Sequence, residues 1–344
     1  MFGNAALAFD PSDSGPGLRR PGNLILLNTW VCICHLHLIT KKPLARPVNA
    51  APCYLWRDDS GAPHATEYHP EMATAASFSR SAITQDTGRY TTMEAFGFLW
   101  LWYGYPEAAD EGLLPDIPYI PRKGGVPRHM HTTQLFRCSV GLAVENLLDL
   151  THADFLHTYV TGDEECESDE VSVEFTSETV TMIREQKKKR TPKFMRLMGI
   201  KESHLSWRGT VHVILRSGVC HAFGRFTPGF VNPVFAGHVG ENSMQTRLNS
   251  TLYPSDSPAL YKAIFPRMSA EIGRQDDVMF GPQNPRYLAS RTKRDLHSPF
   301  DGAGNRYRDL FAKIAARQLA GDLSYGPDAN VGGSLAELFQ MKPL

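Results

Sequence analysis

Five prolines fall between Tyr105 and Arg128, at positions 106, 115, 118, 121 and 127, with several glycines among them. Proline lacks an N–H and fixes φ, so neither a helix nor a central strand runs comfortably through such a stretch. The chain must build its core from what lies on either side. Residues 106–128 therefore read as a linker or a loop wrapping the surface, and the domain boundary falls there. Residues 1–22, rich in Gly, Pro, Asp and Ser, are expected to form a flexible leader, and 326–344 a C-terminal tail.

Before the prolines, residues 23–105 have a β-like pattern. The longest apolar run, Leu24 to Ile39, is interrupted by Asn28, His35 and His37. A membrane-spanning helix needs roughly 20 predominantly apolar residues, so this run is read as a buried strand. Cys53–Gly61 reads as a short strand closed by an Asp, Ser and Gly turn. Glu94–Tyr103 carries bulky residues on both faces, as a strand buried on both sides would. After the prolines, residues 129–325 mix both element types. Val140–Leu156 has helical composition. Val171–Met182, Val211–Leu215 and Met244–Leu252 alternate as half-buried strands. Ala259–Gln275 is helical, with Leu260, Ile264, Met268 and Ile272 at four-residue spacing, and Tyr307–Leu319 is a further helix. Sheet followed by long helix gives the α+β class.

The 344 residues suffice for a large core and about two domains. Lys+Arg and Asp+Glu balance at 36 each, so no global field argues for nucleic acid. Cysteines at 32, 34, 53, 138, 166 and 220, with no secretory signal, point to a reduced intracellular protein. The expected location is the cytoplasm, with a plastid as the alternative.

The chemistry concentrates in Asn146-Leu-Leu-Asp149-Leu-Thr-His152-Ala-Asp-Phe-Leu-His157. Two His and one carboxylate form the ligand set of non-haem Fe(II) oxygenases. His152 and His157 are five residues apart, about 140° around an ideal helix. They share a metal only if the helix bends or ends between them. The alternative is a helix carrying two ordinary histidines.

Asn-x-x-Asp-x-x-His-x-x-x-x-His resembles the iron-binding motif of the catalytic (α) subunits of Rieske-type non-haem iron oxygenases. Lys41-Lys-Pro-Leu-Ala, Leu55–Gly61 and Glu94–Gly104 are similar to strands of that family's N-terminal domain. The resemblance implies a helix-grip catalytic domain, with a curved antiparallel sheet and long helices, behind a truncated Rieske-like β domain. It makes His152 and His157 iron ligands. It supplies a third ligand in an Asp-x₆-Gln context, matched by Asp276 and Gln283, with Asp277 as the fallback. It places Asn146 near the iron and has Asp149 hydrogen-bond a ligand His on the path from the electron donor. It further implies mononuclear Fe(II), a [2Fe-2S] cluster, an apolar or aromatic substrate, a ferredoxin or reductase partner and a homo-oligomer, by resemblance a trimer.

One part of the pattern is missing. A Rieske cluster needs Cys-x-His and, about sixteen to twenty residues later, Cys-x-x-His. Residues 61–90, where these belong, hold His64 and His69 and no Cys. The interval is also short for that family: either a cluster segment is absent from this version of the chain, or the protein is a derived member that lost its cluster, or a partner supplies electrons directly to the iron. Cys32-Ile-Cys34-His35-Leu-His37 is the one Cys/His cluster. As a strand it would send its cysteines to one face and its histidines to the other, so it reads as core packing. The activity expected is hydroxylation, demethylation or cleavage of an aromatic compound with O₂. The alternative is an incomplete helix-grip binding module or partner subunit. Arg184–Lys193, the basic run, reads as a solvated loop, or else as a docking patch for an acidic electron-transfer protein. Phe223, Phe226, Phe230, Val234 and Phe235 read as a loop region that either lines a substrate pocket or packs the core.

Overall fold

The computed structural model describes residues 26–70, 89–162, 165–253, 256–289 and 298–326. The leader, most of the tail and residues 71–88 of the short interval lie outside these. Six strands precede the prolines: β1 (Thr29–His35), β2 (Leu44–Ala45), β3 (Tyr54–Arg57), β4 (Pro63–Thr66), β5 (Thr92–Ala95) and β6 (Phe98–Tyr103). They pair as two small sheets, in the orders β1-β6-β5 and β2-β3-β4.

Strand β6 is buried along its whole length, because its alternate residues serve two clusters. Phe98, Trp100 and Trp102 enter one, and Leu99, Leu101 and Tyr103 the other. Each buried aromatic removes on the order of 200 Å² from water, or ~5 kcal/mol of hydrophobic stabilisation. The single strand expected over Glu94–Tyr103 is instead a hairpin. Phe96 and Gly97 both take positive φ, 59° and 84°, as a two-residue hairpin turn requires. Gly125 of the proline-rich segment lies against this turn, where a Cβ would meet the Gly97 Cα at 2.6 Å. The same segment buries Leu114, Ile117, Tyr119 and Ile120 in the cluster that holds Trp100.

Strand β1 corrects the reading of Cys32–His37. A bulge between Cys32 and Cys34 shifts the pairing with β6. The extra residue breaks the two-residue alternation, so Cys32 and Cys34 pack into different clusters. His37 is no longer in a strand but in the 3-10 turn Leu36–Leu38 that follows.

Beyond the prolines come β7 (His131–Phe136), α1 (Val140–Leu147), α2 (Ala153–Leu156), α3 (Thr158–Thr161), β8 (Ser168–Phe175), β9 (Thr179–Arg190), α4 (Lys193–Leu197), β10 (His204–Ile214), β11 (Val219–Thr227), β12 (Val231–Asn242), β13 (Gln245–Leu252), α5 (Ala259–Ala289) and α6 (Gly302–Leu319). One antiparallel sheet takes all seven strands in the order β7-β13-β12-β11-β10-β9-β8. The sheet is antiparallel throughout and the long helices α5 and α6 follow it, which makes the class α+β, and both of its faces are covered. Ile214, Val219 and Phe235 pack with Trp100 and with Tyr261, Phe265 and Met268 of α5. Val211, Val213, Cys220 and Ala236 pack with α1, α6 and the far half of α5.

Three expectations change here. Residues 171–182 are not one strand but parts of β8 and β9, joined by the turn at Thr176–Glu178. The Phe223–Phe235 region is not a loop but lies mostly in β11 and β12, with Phe223 and Phe235 buried in the strands and Phe230 buried in the short turn between them. Arg184–Arg190 is not a loop but the second half of β9, paired with β10 and, as far as Lys187, with β8. A run of basic residues fits a strand when alternate side chains find different surroundings. Lys187, Lys188 and Arg190 are exposed, while Arg184 and Lys189 are buried.

Candidate metal centre

The helix expected over Val140–Leu156 stops at Leu147 and resumes at Ala153. The turn between them is built from its own polar groups. Asp149 Oδ1 accepts from the Thr151 N–H at 2.9 Å and from the Thr151 hydroxyl at 2.5 Å. His152 Nδ1 donates to the Asp149 main-chain carbonyl. A second break falls at His157, which sits between α2 and α3 at φ −117°, ψ 33°. These two breaks remove the 140° problem and bring the rings to 5.2 Å between centroids.

Tautomers follow from the partners. A carbonyl only accepts, so His152 Nδ1 carries the proton and Nε2 presents a lone pair. His157 Nδ1 lies 2.7 Å from the Gln275 amide oxygen, which sets the same tautomer. Both Nε2 atoms face one carboxylate oxygen, Asp276 Oδ1, at 3.6 Å from His152 and 3.2 Å from His157. One ligand atom from each of the three residues lies within 4.8 Å of the others. His157 Nε2 and Asp276 Oδ1 are both buried without a well-directed hydrogen bond. Buried lone pairs left facing each other are costly, and a proton or a cation between them removes the cost. Burial opposes a charged His157, but Asp276 and Gln275 outweigh it and hold its pKa above the ordinary histidine value. The donor set fits a mononuclear Fe(II) site.

The other candidate residues fall in different places. Asp277 points away, its carboxylate bound to Arg137 Nε at 2.7 Å and to the Arg137 N–H at 2.7 Å. Gln283 is exposed on α5. Asn146 is half-buried at the end of α1, its carbonyl accepting from the Asp149 N–H. The expectation that Asp149 bonds a ligand His is corrected in detail. Its carbonyl makes that contact, while its carboxylate is engaged by Thr151.

Two functional residues were missed by sequence reasoning. Gln275 carries no motif signal, only adjacency to Asp276. Arg184 was read as part of a solvated run. It is buried, donates to the Leu150 carbonyl at 2.9 Å and pairs with Asp154 and Asp169. Leu150 and Asp154 bracket His152, so Arg184 clamps the turn that presents it. On α5 the four-residue stripe holds at Ile264, Met268 and Ile272, which pack in or against the core with Tyr261 and Phe265, while Leu260 is exposed.

Comparison with known proteins agrees with this architecture. The structure resembles dicamba monooxygenase bound to 3,6-dichlorosalicylic acid (TM-score 0.71, 17% identity, covering 85% of this chain and 98% of that one). It also resembles the terminal oxygenase of carbazole 1,9a-dioxygenase from Nocardioides aromaticivorans IC177 (TM-score 0.58, 14% identity, covering 89% and 99%). These likenesses, both under 25% identical, show a shared fold. Residues 136–317, more than half of the chain, match the vanillate O-demethylase oxygenase C-terminal domain, and the chain belongs to that family of Rieske-type oxygenases. A vanillate O-demethylase oxygenase subunit from Pseudomonas sp. strain HR199 is 27% identical over 146 residues, covering 39% of this chain and 40% of the relative. Another from Pseudomonas sp. strain ATCC 19151 is 30% identical over 87 residues, covering 24% and 25%. The matches thus span less than half of either curated relative.

Proposed function

We propose that the chain is a mononuclear non-haem iron oxygenase acting on an apolar, aromatic substrate, with His152, His157 and Asp276 as the ligands. The observation that carries this is the convergence of two lone-pair Nε2 atoms on a buried, unpartnered carboxylate oxygen. When bound, Fe(II) supplies O₂ activation at the positions the three ligands leave open. The chain's own residues do the rest. Gln275 and the Asp149 carbonyl fix the two tautomers, the role that outer hydrogen-bond partners play around a metal. Asp276 supplies the one negative charge of the set, and Arg184 holds the turn in place.

An aromatic substrate is supported by the ground next to the ligands. Val160 follows His157 by three residues and Ile272 precedes Asp276 by four. Both pack against the cluster of Phe223, Phe230 and Tyr261. The chemistry by which the relatives are named, O-demethylation, is the reaction proposed first.

Electrons must come from a separate donor, a ferredoxin or a reductase. The chain has no Cys between Cys53 and Cys138, so a Cys₂His₂ cluster is not assembled from that stretch. The same observation favours a second reading, a binding or partner subunit that keeps the fold without turnover. Purified protein reconstituted with ferrous iron is expected to hold about one iron per chain, as a single facial site does, and His157→Ala to hold none. With a ferredoxin and its reductase, release of formaldehyde from an aromatic methyl ether supports the enzyme. Bound iron without turnover supports the partner subunit, and equal iron in wild type and variant refutes the assigned ligands.

A further inference from the structure

A second cluster of potential ligands lies in residues that the iron centre does not use. His35 ends β1, His37 sits in the turn after it, and His131 opens β7 at the edge of the seven-stranded sheet. One ring nitrogen of each lies within 4.8 Å of the other two. His35 is buried and its ring stacks on His131 at 4.2 Å between centroids, with Phe98 at 4.7 Å nearby.

The His35 and His131 rings lie only 15° from parallel, so the half-buried His131 ring would turn to share an ion with His35. His35 Nε2 lies 2.9 Å from the Thr132 carbonyl and therefore carries the proton. Its Nδ1 is a bare lone pair, buried and without a partner. An imidazole that gives one N–H to a main-chain carbonyl and aims the other nitrogen at open coordination space is the usual posture of a metal-bound histidine. His131 Nδ1 and His37 Nδ1 are 3.2 Å apart. Two nitrogens on one tetrahedral ion, at bonds of 2.0–2.1 Å, are separated by roughly 3.4 Å. Without metal, one of these Nδ1 atoms donates its proton to the other. With metal, that proton moves to the Nε2 of its own ring, so both lone pairs point at the ion and no net proton is released.

We infer that His35, His37 and His131 form a metal site separate from the iron centre, for a divalent cation that favours imidazole, such as Zn²⁺ or Cu²⁺. His37 and His131 are half-buried, which leaves a fourth position for water or an anion. Arg128, beside His37, favours an anion there. The ion would tie the small N-terminal sheet to the edge of the large one, a structural clip rather than a reaction centre.

The test is a cobalt titration of the full chain carrying His157→Ala, with Asp276→Asn as a second background should the first fold poorly. In either, the visible bands of four-coordinate cobalt should develop with one equivalent of metal. Adding His37→Ala or His131→Ala should weaken binding more than about 100-fold, beyond the 10–100-fold that outer-shell changes cost. His129→Ala, next to the trio, should leave binding intact, and circular dichroism should show each variant folded. Zinc should raise the thermal midpoint of the background chain and not that of its His37→Ala derivative. Unchanged cobalt affinity in folded His37→Ala and His131→Ala chains, or no bands in either background, overturns the inference. Neither result bears on iron binding by His152, His157 and Asp276, which the wild-type iron content reads separately.

Discussion

Two groups of histidines lie near α5, and a carboxylate separates their behaviour. At His152 and His157 the lone pairs face Asp276, and the His157 pKa is held up. At His35, His37 and His131 the histidines face one another, and their pKa values are pushed down, to about 3 for His35 and about 4 for His131. The first set carries one negative charge and suits a cation that must also bind oxygen. The second is neutral and suits a cation held for structure. Burial is similar in kind at both, so the charge of the opposing group decides what each can hold.

The comparison breaks most directly at Asp276. Asp276→Asn keeps the shape and removes the charge, and iron binding and turnover are expected to fall below detection. Iron retained at wild-type stoichiometry would show that the charge is not what distinguishes the two groups. Next in size is Gln275→Leu, which frees the His157 tautomer. Loss of such an outer partner is expected to cost 10–100-fold in iron affinity, read by competition with a chelator.

The third expectation concerns acid. His35 and His131 have folded pKa values below the unfolded value of 6.5, so the unfolded chain takes up protons that the folded chain refuses. Stability of the metal-free protein should therefore fall as pH drops below about 6.5, by up to ~1.4 kcal/mol per pH unit for each such proton. Buried His212 and His238, each held at about 4, push in the same direction. His157, with its raised pKa, pushes the other way, its contribution being present in acid and lost as pH rises. Urea denaturation at pH 5 and pH 7 measures the balance, and a midpoint that does not fall at pH 5 contradicts it. The smallest effect is expected for Asp277→Asn, which loosens the tie to the exposed Arg137. It should cost ~1 kcal/mol or less and leave iron content unchanged, whereas iron loss would exchange the roles of the two neighbouring acids.

Much of this was legible in the sequence, for reasons that differ by residue. The buried character of Phe98–Tyr103 follows from its bulk on both faces. The helical reading of Ala259–Gln275 came from its four-residue apolar spacing, and the pairing of Asp276 with His152 and His157 from the family resemblance alone. What stayed hidden depends on tertiary neighbours. Nothing in Arg184-Glu-Gln-Lys187 says that Arg184 is buried against Asp154 and Asp169, because the partners lie 30 and 15 residues away. The bulge between Cys32 and Cys34 adds one residue without a glycine to mark it, and so the facing of Cys32–His37 was misjudged. His131 lies 94 residues from His37, and no local pattern links them.

Gln275, Asp276 and Asp277 are consecutive on one helix, and each serves a different neighbour: His157, the lone pairs of both histidines, and Arg137. Successive helical residues point about 100° apart, so the assignment is a matter of phase. A single residue inserted or deleted upstream in α5 would rotate the whole set by one step, presenting the wrong acid to the histidines while leaving composition and helix content unchanged. The angular setting of α5 is held by Tyr261, Phe265 and Met268 in the core. Those residues are not among the proposed ligands, yet they index which acid faces the two histidines.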